Sequence, residues 1–245
     1  MQDFFHIHTW RCKHGSDESD ETIIQKAISL GAKKITFTDH APFPENPFGN
    51  RMDYEELDEY LETLSSLQEK YQNQIDVKIG FEIEYLPKYR DYFNELKNHP
   101  KVDILIIGQH FSQIGDKYTF DLDSQFRNEN EHIYCFESMI EGIKSGLFDV
   151  VAHPDRCFKR CKEWTDEMAN LSLQLFQVAA EYDISLEINI SSYTNLPKKL
   201  IFRKEFWRLL DEYNKTASNK VKTVYALDSH STEEMETRYN VQVEY

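Results

Sequence analysis

The chain has 245 residues, 40% of them hydrophobic, and its 43 acidic side chains outnumber 28 basic ones to give a formal charge of −15. This length and apolar content suffice for one large core, so we expect a single domain over residues 1–245. The negative charge argues against a nucleic-acid partner, and no apolar run is long enough to span a bilayer, so no membrane partner is expected.

Strand-like and helix-like patterns alternate along the chain. Short apolar runs typical of buried strands lie at 4–8, 34–38, 77–83, 104–108, 150–153, 185–189 and 223–228. Helical periodicity lies between them at 21–30, 54–71, 88–96, 135–145, 165–182 and 203–213. Seven strands separated by helices predict an α/β fold with a parallel sheet, closed into a seven-stranded barrel. The alternative is an open doubly wound sheet.

The cysteines and the N-terminal residues indicate in which cellular compartment the protein is expected. Four cysteines in a chain this long show no regular disulfide framework, and the residues around Asp3 lack the basic segment of a targeting sequence. We therefore expect a protein of the reduced cytoplasm. Cys157 and Cys161 have a spacing open to a redox or metal pair, but incidental thiols are the favoured interpretation.

Polar side chains lie at, or directly after, the carboxyl ends of six of the predicted strands. They are His6, His8, Asp39, His40, Glu82, Glu84, His110, His153, Asp228 and His230. In a barrel of parallel strands these ends meet on one face, where functional groups collect. Because strand side chains alternate, His6 and His8 are predicted to project from one side of the first strand, close enough to share a metal ion.

Seven short motifs carry a resemblance to a known family. They are His6-Ile7-His8-Thr9, Cys12-Lys13-His14-Gly15, Thr36-Phe37-Thr38-Asp39-His40-Ala41-Pro42, Gly80-Phe81-Glu82, Gly108-Gln109-His110-Phe111, Ala152-His153-Pro154-Asp155 and Asp228-Ser229-His230. Together they resemble the PHP (polymerase and histidinol phosphatase) superfamily over residues 3–230, and its histidinol-phosphatase branch in particular. The resemblance implies a distorted seven-stranded (β/α)7 TIM-like barrel with a trinuclear metal site.

The resemblance also implies nine metal ligands in three sets. One ion would be held by His6, His8, Glu82 and Asp228, a second by Glu82, His110 and His153, and a third by His14, His40 and His230. Imidazoles and carboxylates suit zinc, manganese or iron, and this set has no cysteine that would favour a soft metal. Two or three divalent ions are therefore the expected cofactors. Asp39 and Glu84 are candidates for orienting ligand histidines, with a turn cap and a plain hydrogen-bonded carboxylate as the alternatives.

The activity that the resemblance implies is hydrolysis of a phosphate monoester, L-histidinol phosphate in histidine biosynthesis. Closely spaced divalent ions lower the pKa of a water between them, so no covalent nucleophile is needed. Glu82, Asp228 and His230 are the expected catalytic residues, and the proton donor to the leaving group stays open. Two alternatives are a phosphoesterase for a nucleotide or sugar phosphate and an inactive, metal-stabilised module that binds a partner. The sequence predicts no oligomeric state.

Basic and amide side chains near two strand ends are candidates for binding the substrate. Arg156 and Arg160 follow the strand that ends at His153, and a guanidinium binds phosphate in a bidentate manner. Arg156 is the first choice, with a solvated basic loop as the alternative. Asn189 ends the sixth strand and is expected to contact substrate, although a turn-forming role is equally ordinary for asparagine.

Overall fold

Seven strands of the chain belong to one sheet. The computed structural model describes residues 2–114, 117–120, 130–159, 161–195 and 202–245, so Arg160 lies outside the described residues. The strands are β1 (Asp3–Ile7), β2 (Lys34–His40), β3 (Asp76–Ile83), β4 (Ile104–Ile107), β5 (Phe111–Ile114), β6 (Lys117–Phe120), β7 (Val150–Val151), β8 (Ser185–Asn189) and β9 (Thr223–Ala226). The sheet order is β1-β2-β3-β4-β7-β8-β9, and β5 pairs with β6 in a separate antiparallel hairpin. All seven predicted strands are confirmed, whereas the hairpin was not predicted.

Helices alternate with these strands, and several of them begin at residues whose side chains cap the first turn. They are α1 (Asp20–Ser29), α2 (Leu57–Tyr71), α3 (Arg90–Lys97), α4 (Glu131–Lys144), α5 (Asp166–Glu181), α6 (Ile190–Thr194), α7 (Lys204–Thr216) and α8 (Thr232–Arg238). Ser19, Thr165 and Ser231 accept the backbone N–H three residues further on and so cap α1, α5 and α8. Within the described ranges, no helix combines the length and apolar character needed to cross a membrane.

The chain divides into two compact units, the first formed by residues 1–83, 94–106 and 225–242. In this unit β2 pairs with β3 in an unbroken parallel register from Lys34 opposite Asp76 to His40 opposite Glu82. Side chains on the core-facing positions are fully buried: Phe4, Ile35, Phe37, Ile79 and Phe81. The apolar runs read from the sequence are therefore buried strands, and their last residues are fixed by the ladder.

Gly80 allows β4 to approach β3 closely within the first unit. A Cβ at this position would lie 2.3 Å from the carbonyl oxygen of Ile104, a distance that no side chain tolerates. The hydroxyl of the buried Tyr60 donates a 2.9 Å hydrogen bond to the Gly80 carbonyl. These contacts fix the backbone two residues before Glu82.

The second unit comprises residues 84–93, 107–224 and 243–245. Here β7 pairs in parallel with β8, and a disulfide joins Cys135 on α4 to Cys157 in the segment after β7, with Cα atoms 6.1 Å apart. The expectation that Cys157 is an incidental thiol is therefore wrong, because the fold brings it within bonding distance of Cys135, 22 residues earlier in the sequence. Cys12 and Cys161 are free.

Candidate metal centre

A break in β1 brings His6 and His8 together. The pairing of β1 with β2 shifts register between Phe4 and Ile7, and His6 has a φ of 64°, which a residue with a Cβ seldom adopts. The two imidazole rings lie 4.9 Å apart, centroid to centroid. The predicted convergence of these histidines is found, but it arises from a bulge that redirects a side chain rather than from simple strand alternation.

Glu82, at the end of β3, is the carboxylate on which three imidazoles converge. Its Oε2 lies 3.4 Å from Nε2 of His6, 3.7 Å from Nε2 of His8 and 2.9 Å from Nδ1 of His40. The Glu82 side chain is only 1% exposed. A single buried carboxylate oxygen therefore faces ring nitrogens from two neighbouring strand ends.

Asp228 and His230 complete this group from the turn after β9. Oδ1 of Asp228 lies 3.5 Å from Nε2 of His8, 4.0 Å from Nε2 of His6 and 3.8 Å from Nδ1 of His230. The His230 ring stacks on that of His8 at 4.0 Å, and its Nε2 is 3.0 Å from Nε2 of His14. The first unit thus gathers seven predicted ligands: His6, His8, His14, His40, Glu82, Asp228 and His230.

The spacing of these atoms fits a divalent cation. Ligand atoms bonded to one tetrahedral zinc at about 2.0–2.2 Å lie roughly 3.3–3.6 Å from each other. The separations of Nε2 of His6 from Oε2 of Glu82 and of Nε2 of His8 from Oδ1 of Asp228, 3.4 and 3.5 Å, are close to this value. The two ring nitrogens of the buried His8 make no short hydrogen bond among the described residues, and each has a carboxylate oxygen, from Asp39 or Asp228, at 3.5 Å. A cation would satisfy a nitrogen that is otherwise costly to bury.

Asp39 is placed to orient His8. Its Oδ1 lies 3.5 Å from Nδ1 of His8 and accepts the backbone N–H of Thr9 at 3.0 Å, while its Oδ2 accepts the Thr9 hydroxyl. A carboxylate at Nδ1 favours a proton on that nitrogen and leaves Nε2 for a ligand. Asp39 is a candidate from the sequence, whereas Thr9 was not predicted, although its position directly after the His-x-His motif was the available signal.

Cys12 is a second residue that the sequence analysis left out of the group. Its sulfur and one ring nitrogen each of His14 and His230 lie within 4.8 Å of one another. Burial raises the pKa of the Cys12 thiol to about 12, so the thiol is neutral at physiological pH when no cation is bound. The nine predicted ligands include no cysteine, but the thiol of Cys12 lies beside two of them, His14 and His230.

Charges within the first unit shift the titration of three of these groups. Burial lowers the pKa of His8, but the carboxylates of Asp228 and Asp39 outweigh burial and raise it to about 9. Burial likewise opposes ionisation of Asp228, yet the charge of His6 and a contact with His8 hold its pKa well below the ordinary value. Burial and the neighbouring His8 charge lower the pKa of His230. Asp228 is therefore an anion and His230 a neutral imidazole at neutral pH.

The second unit holds the two remaining predicted ligands. The rings of His110 and His153 lie 4.9 Å apart at an interplanar angle of 60°. The fully buried Glu84 places Oε1 3.0 Å from Nδ1 of His110. This contact fits the expected orienting role of Glu84, because a carboxylate at one ring nitrogen fixes the tautomer of the other.

The candidate substrate residues have different surroundings within the second unit. Arg156 is partly buried on the short 3-10 helix Pro154–Phe158, and its backbone N–H donates to the carbonyl of His153 at 2.9 Å. Asn189 is fully buried, donates to Oε1 of Glu187 at 2.7 Å and accepts the N–H of Ser192 at 2.7 Å, which caps α6. These contacts show Asn189 in the turn-forming role that was the alternative for it. A contact between Asn189 and the substrate stays a prediction.

Comparison with known proteins defines the class. A family model described as PHP domain matches residues 5–191, more than half of the chain, and the chain belongs to this family. It is 30% identical over 121 residues to the histidinol-phosphatase of Bacillus subtilis, a match that covers 46% of this chain and 45% of that protein. The chain spans about half the length of the curated relatives it matches.

Two crystal structures share the fold. One is histidinol phosphate phosphatase from Lactococcus lactis, complexed with zinc, L-histidinol and phosphate, with a TM-score of 0.72 and 19% identity, covering 96% of this chain and 91% of that one. The other, a candidate histidinol phosphatase from Listeria monocytogenes, has a TM-score of 0.76 and 21% identity, covering 97% and 98%. These likenesses confirm the predicted seven-stranded α/β barrel of the PHP type over the open doubly wound sheet.

Proposed function

We propose that the chain is a metal-dependent phosphomonoesterase that hydrolyses L-histidinol phosphate to L-histidinol and phosphate in histidine biosynthesis. The observation that supports it most directly is the convergence of five imidazoles and two carboxylates, described above, within the first unit. Membership of the PHP family and relatives named histidinol-phosphatase support the reaction and the substrate. The ligands of the Lactococcus lactis enzyme, zinc, L-histidinol and phosphate, support both together.

The proposal assigns two or three ions of zinc, manganese or iron to the predicted ligands. His6, His8, Glu82 and Asp228 would hold one ion and His14, His40 and His230 another, while the set of Glu82 with His110 and His153 stays a prediction from the family resemblance. When bound, such ions activate water as a nucleophile and neutralise the charge on the phosphoryl oxygens. Glu82 and Asp228 supply the negative charge that offsets these cations.

The chain's own residues set the protonation and the surroundings of the reaction. Oδ1 of Asp228, 3.8 Å from Nδ1 of His230, favours a proton on that nitrogen and leaves Nε2 of His230 as an electron-pair donor. Burial of His6, His8 and Glu82 excludes bulk water, which strengthens every electrostatic contact made there. In this proposal Arg156 binds the phosphate, and Asn189 and Arg160 are further substrate contacts.

Steady-state kinetics on three esters tests the proposal. The metal-loaded protein should show a higher kcat/KM on L-histidinol phosphate than on para-nitrophenyl phosphate or a nucleoside monophosphate, because a pocket shaped for a small cationic amino alcohol gains contacts that the other esters lack. An equal or higher kcat/KM on the nucleotide would leave only a broader phosphoesterase. No turnover of any ester by metal-loaded protein would favour a non-catalytic binding module.

The proposal extends to the compartment. An enzyme of amino-acid biosynthesis acts in the cytoplasm, and we propose that location here. The disulfide between Cys135 and Cys157 is unusual for this location, because a reducing compartment keeps most thiols reduced. Cell fractionation with an antibody to the chain tests the location, and recovery outside the cytoplasm would contradict it.

A further inference from the structure

The turn that carries Asp228 and His230 has an unfavourable backbone conformation. Asp228 has a φ of 48°, in the left-handed region where a Cβ is crowded. Such a conformation persists only where the surrounding structure fixes it. Two backbone hydrogen bonds help to fix the conformation of this turn. The N–H of Ser229 donates to the carbonyl of His6 at 3.2 Å, and the N–H of Ser16 donates to the carbonyl of His230 at 2.9 Å.

Arg238, at the end of α8, holds one side of this turn. Its Nη1 donates to the carbonyl of Asp228 at 2.5 Å and to the carbonyl of Leu227 at 3.4 Å. The residue is only 8% exposed, so these hydrogen bonds form largely out of contact with water. A buried guanidinium therefore binds the peptide whose conformation is strained.

Glu234, one helical turn earlier on α8, holds the other side. Its Oε2 accepts the backbone N–H of His230 at 2.7 Å. Both of its oxygens also accept from Arg238, at 2.9 Å from Nη2 to Oε1 and at 3.1 Å from Nη1 to Oε2. The two side chains thus form one unit, the Arg238–Glu234 clamp, which contacts the peptide groups on both sides of the turn.

We propose that the Arg238–Glu234 clamp is a positioning device that sets the direction of the Asp228 and His230 side chains and so the affinity of this centre for metal. The inference rests on the proposed function in one respect, that Asp228 and His230 are ligands. Side-chain direction follows the backbone, and partners that orient ligands affect metal affinity strongly. Attachment of α8 does not depend on the pair alone, because Met235 on the same helix is fully buried and its burial also stabilises the position of the helix.

The Zn²⁺ affinity of metal-stripped protein, measured by competition with a chromophoric chelator, tests this proposal. Arg238→Met removes the guanidinium and should weaken Zn²⁺ binding about 10- to 100-fold, the range found when partners of metal ligands are lost. Arg238→Lys keeps a donor for one carbonyl and should lie between this variant and the wild type. Glu234→Gln places an amide against the guanidinium and should also weaken binding.

Two controls match the charges removed. Glu233→Gln changes an exposed carboxylate next to Glu234 on α8, and Arg208→Met removes an exposed guanidinium on α7, so both should bind Zn²⁺ like the wild type. The melting temperature of each stripped protein and the absorption spectrum of its Co²⁺ form are recorded as well. A positioning role predicts a changed Co²⁺ spectrum at full folding, which a role in attaching α8 would not produce.

Each outcome decides the proposal. Zn²⁺ affinity within twofold of the wild type in folded Arg238→Met would overturn it, as would an equal loss in Glu233→Gln. If Arg238→Met does not fold, Glu234→Gln and Arg238→Lys decide by the same criterion. Wild-type protein that binds Zn²⁺ but turns over no phosphate ester, together with weakened Zn²⁺ binding in Arg238→Met, would contradict the proposed function and support the clamp. Unchanged affinities of the variants in an active enzyme would remove the clamp alone.

Discussion

Glu82 carries a negative charge into a buried position where three imidazole nitrogens face one of its oxygens. If this carboxylate is shared between cations, Glu82→Gln should lower kcat by about 100-fold or more, the size seen when a single electrostatic contact to a reacting group is removed. Folding stability should change little, because the amide is nearly isosteric. Steady-state kinetics and thermal unfolding measure the two effects, with the exposed Glu69→Gln on α2 as control. Wild-type turnover in the variant would show that the carboxylate is assigned wrongly.

Arg156 differs from Glu82 in that it is predicted to touch the substrate and not the metal. Arg156→Ala should lower kcat/KM about tenfold to hundredfold on every phosphomonoester, since hydrogen bonds to charged groups contribute roughly 1.5–3 kcal/mol. Metal content should stay at the wild-type level. Kinetics on two esters and elemental analysis measure these effects, with Arg208→Ala as the control. A loss of kcat/KM on only one of the two esters would count against a phosphate-binding role for Arg156.

Residue types and spacing predicted which side chains gather in the first unit, but not the backbone conformations and hydrogen bonds that bring them together. The positions of His6, Glu82 and Asp228 at strand ends follow from the alternation of apolar runs and helices. The positive φ of His6 and of Asp228 could not be predicted, because neither is glycine and the strain is imposed by distant hydrogen bonds. Arg238 was missed for the same reason, since its backbone acceptors are defined only by the fold.

The disulfide between α4 and the segment after β7 is an element-scale restraint in the second unit. A cross-link that closes a loop with a sequence separation of 22 should stabilise the folded state by about 3 kcal/mol through the entropy of the unfolded chain. Reduction, or the Cys135→Ala/Cys157→Ala double variant, should lower the melting temperature accordingly. Cys161→Ala, which removes a free thiol, is the control. Identical melting curves with and without reductant would contradict the bond.

At the level of elements, strands were predictable from continuous apolar runs, and longer helices from apolar residues at helical spacing. The short α8 and the β5/β6 hairpin were not, since their sequences show neither a continuous apolar run nor a full helical period. The ends of the elements moved by a few residues: the strand predicted over 150–153 is confined to Val150–Val151. His153 consequently lies in a left-handed turn before a 3-10 helix and not in the strand itself.

Asp155 links the stability of the whole protein to pH. Burial raises its pKa to about 7, although the backbone N–H of Arg203 and the indole of Trp207 both donate to Oδ2. Between its ordinary pKa of 3.8 and about 7, the folded state therefore holds a proton that the unfolded state releases. By linkage, the contribution of Asp155 to the free energy of unfolding falls as pH rises through this window.

Asp155→Asn removes this titration. Relative to the variant, metal-stripped wild-type protein should lose stability between pH 5 and pH 8, as measured by urea unfolding at both values. Asp211→Asn, at an exposed position on α7, should show no such change. A stability difference between wild type and Asp155→Asn that is constant with pH would show that the buried carboxyl keeps its ordinary pKa.

At the scale of the whole molecule, the proposed phosphatase activity depends on bound metal, and the metal content of the purified protein tests this dependence. Elemental analysis of protein prepared without chelator should find two or three equivalents of zinc, manganese or iron per chain. Chelation should abolish turnover of L-histidinol phosphate, and restoring the metal should recover it. Less than one equivalent, with no turnover gained on adding any of the three metals, would contradict a metal-dependent phosphatase.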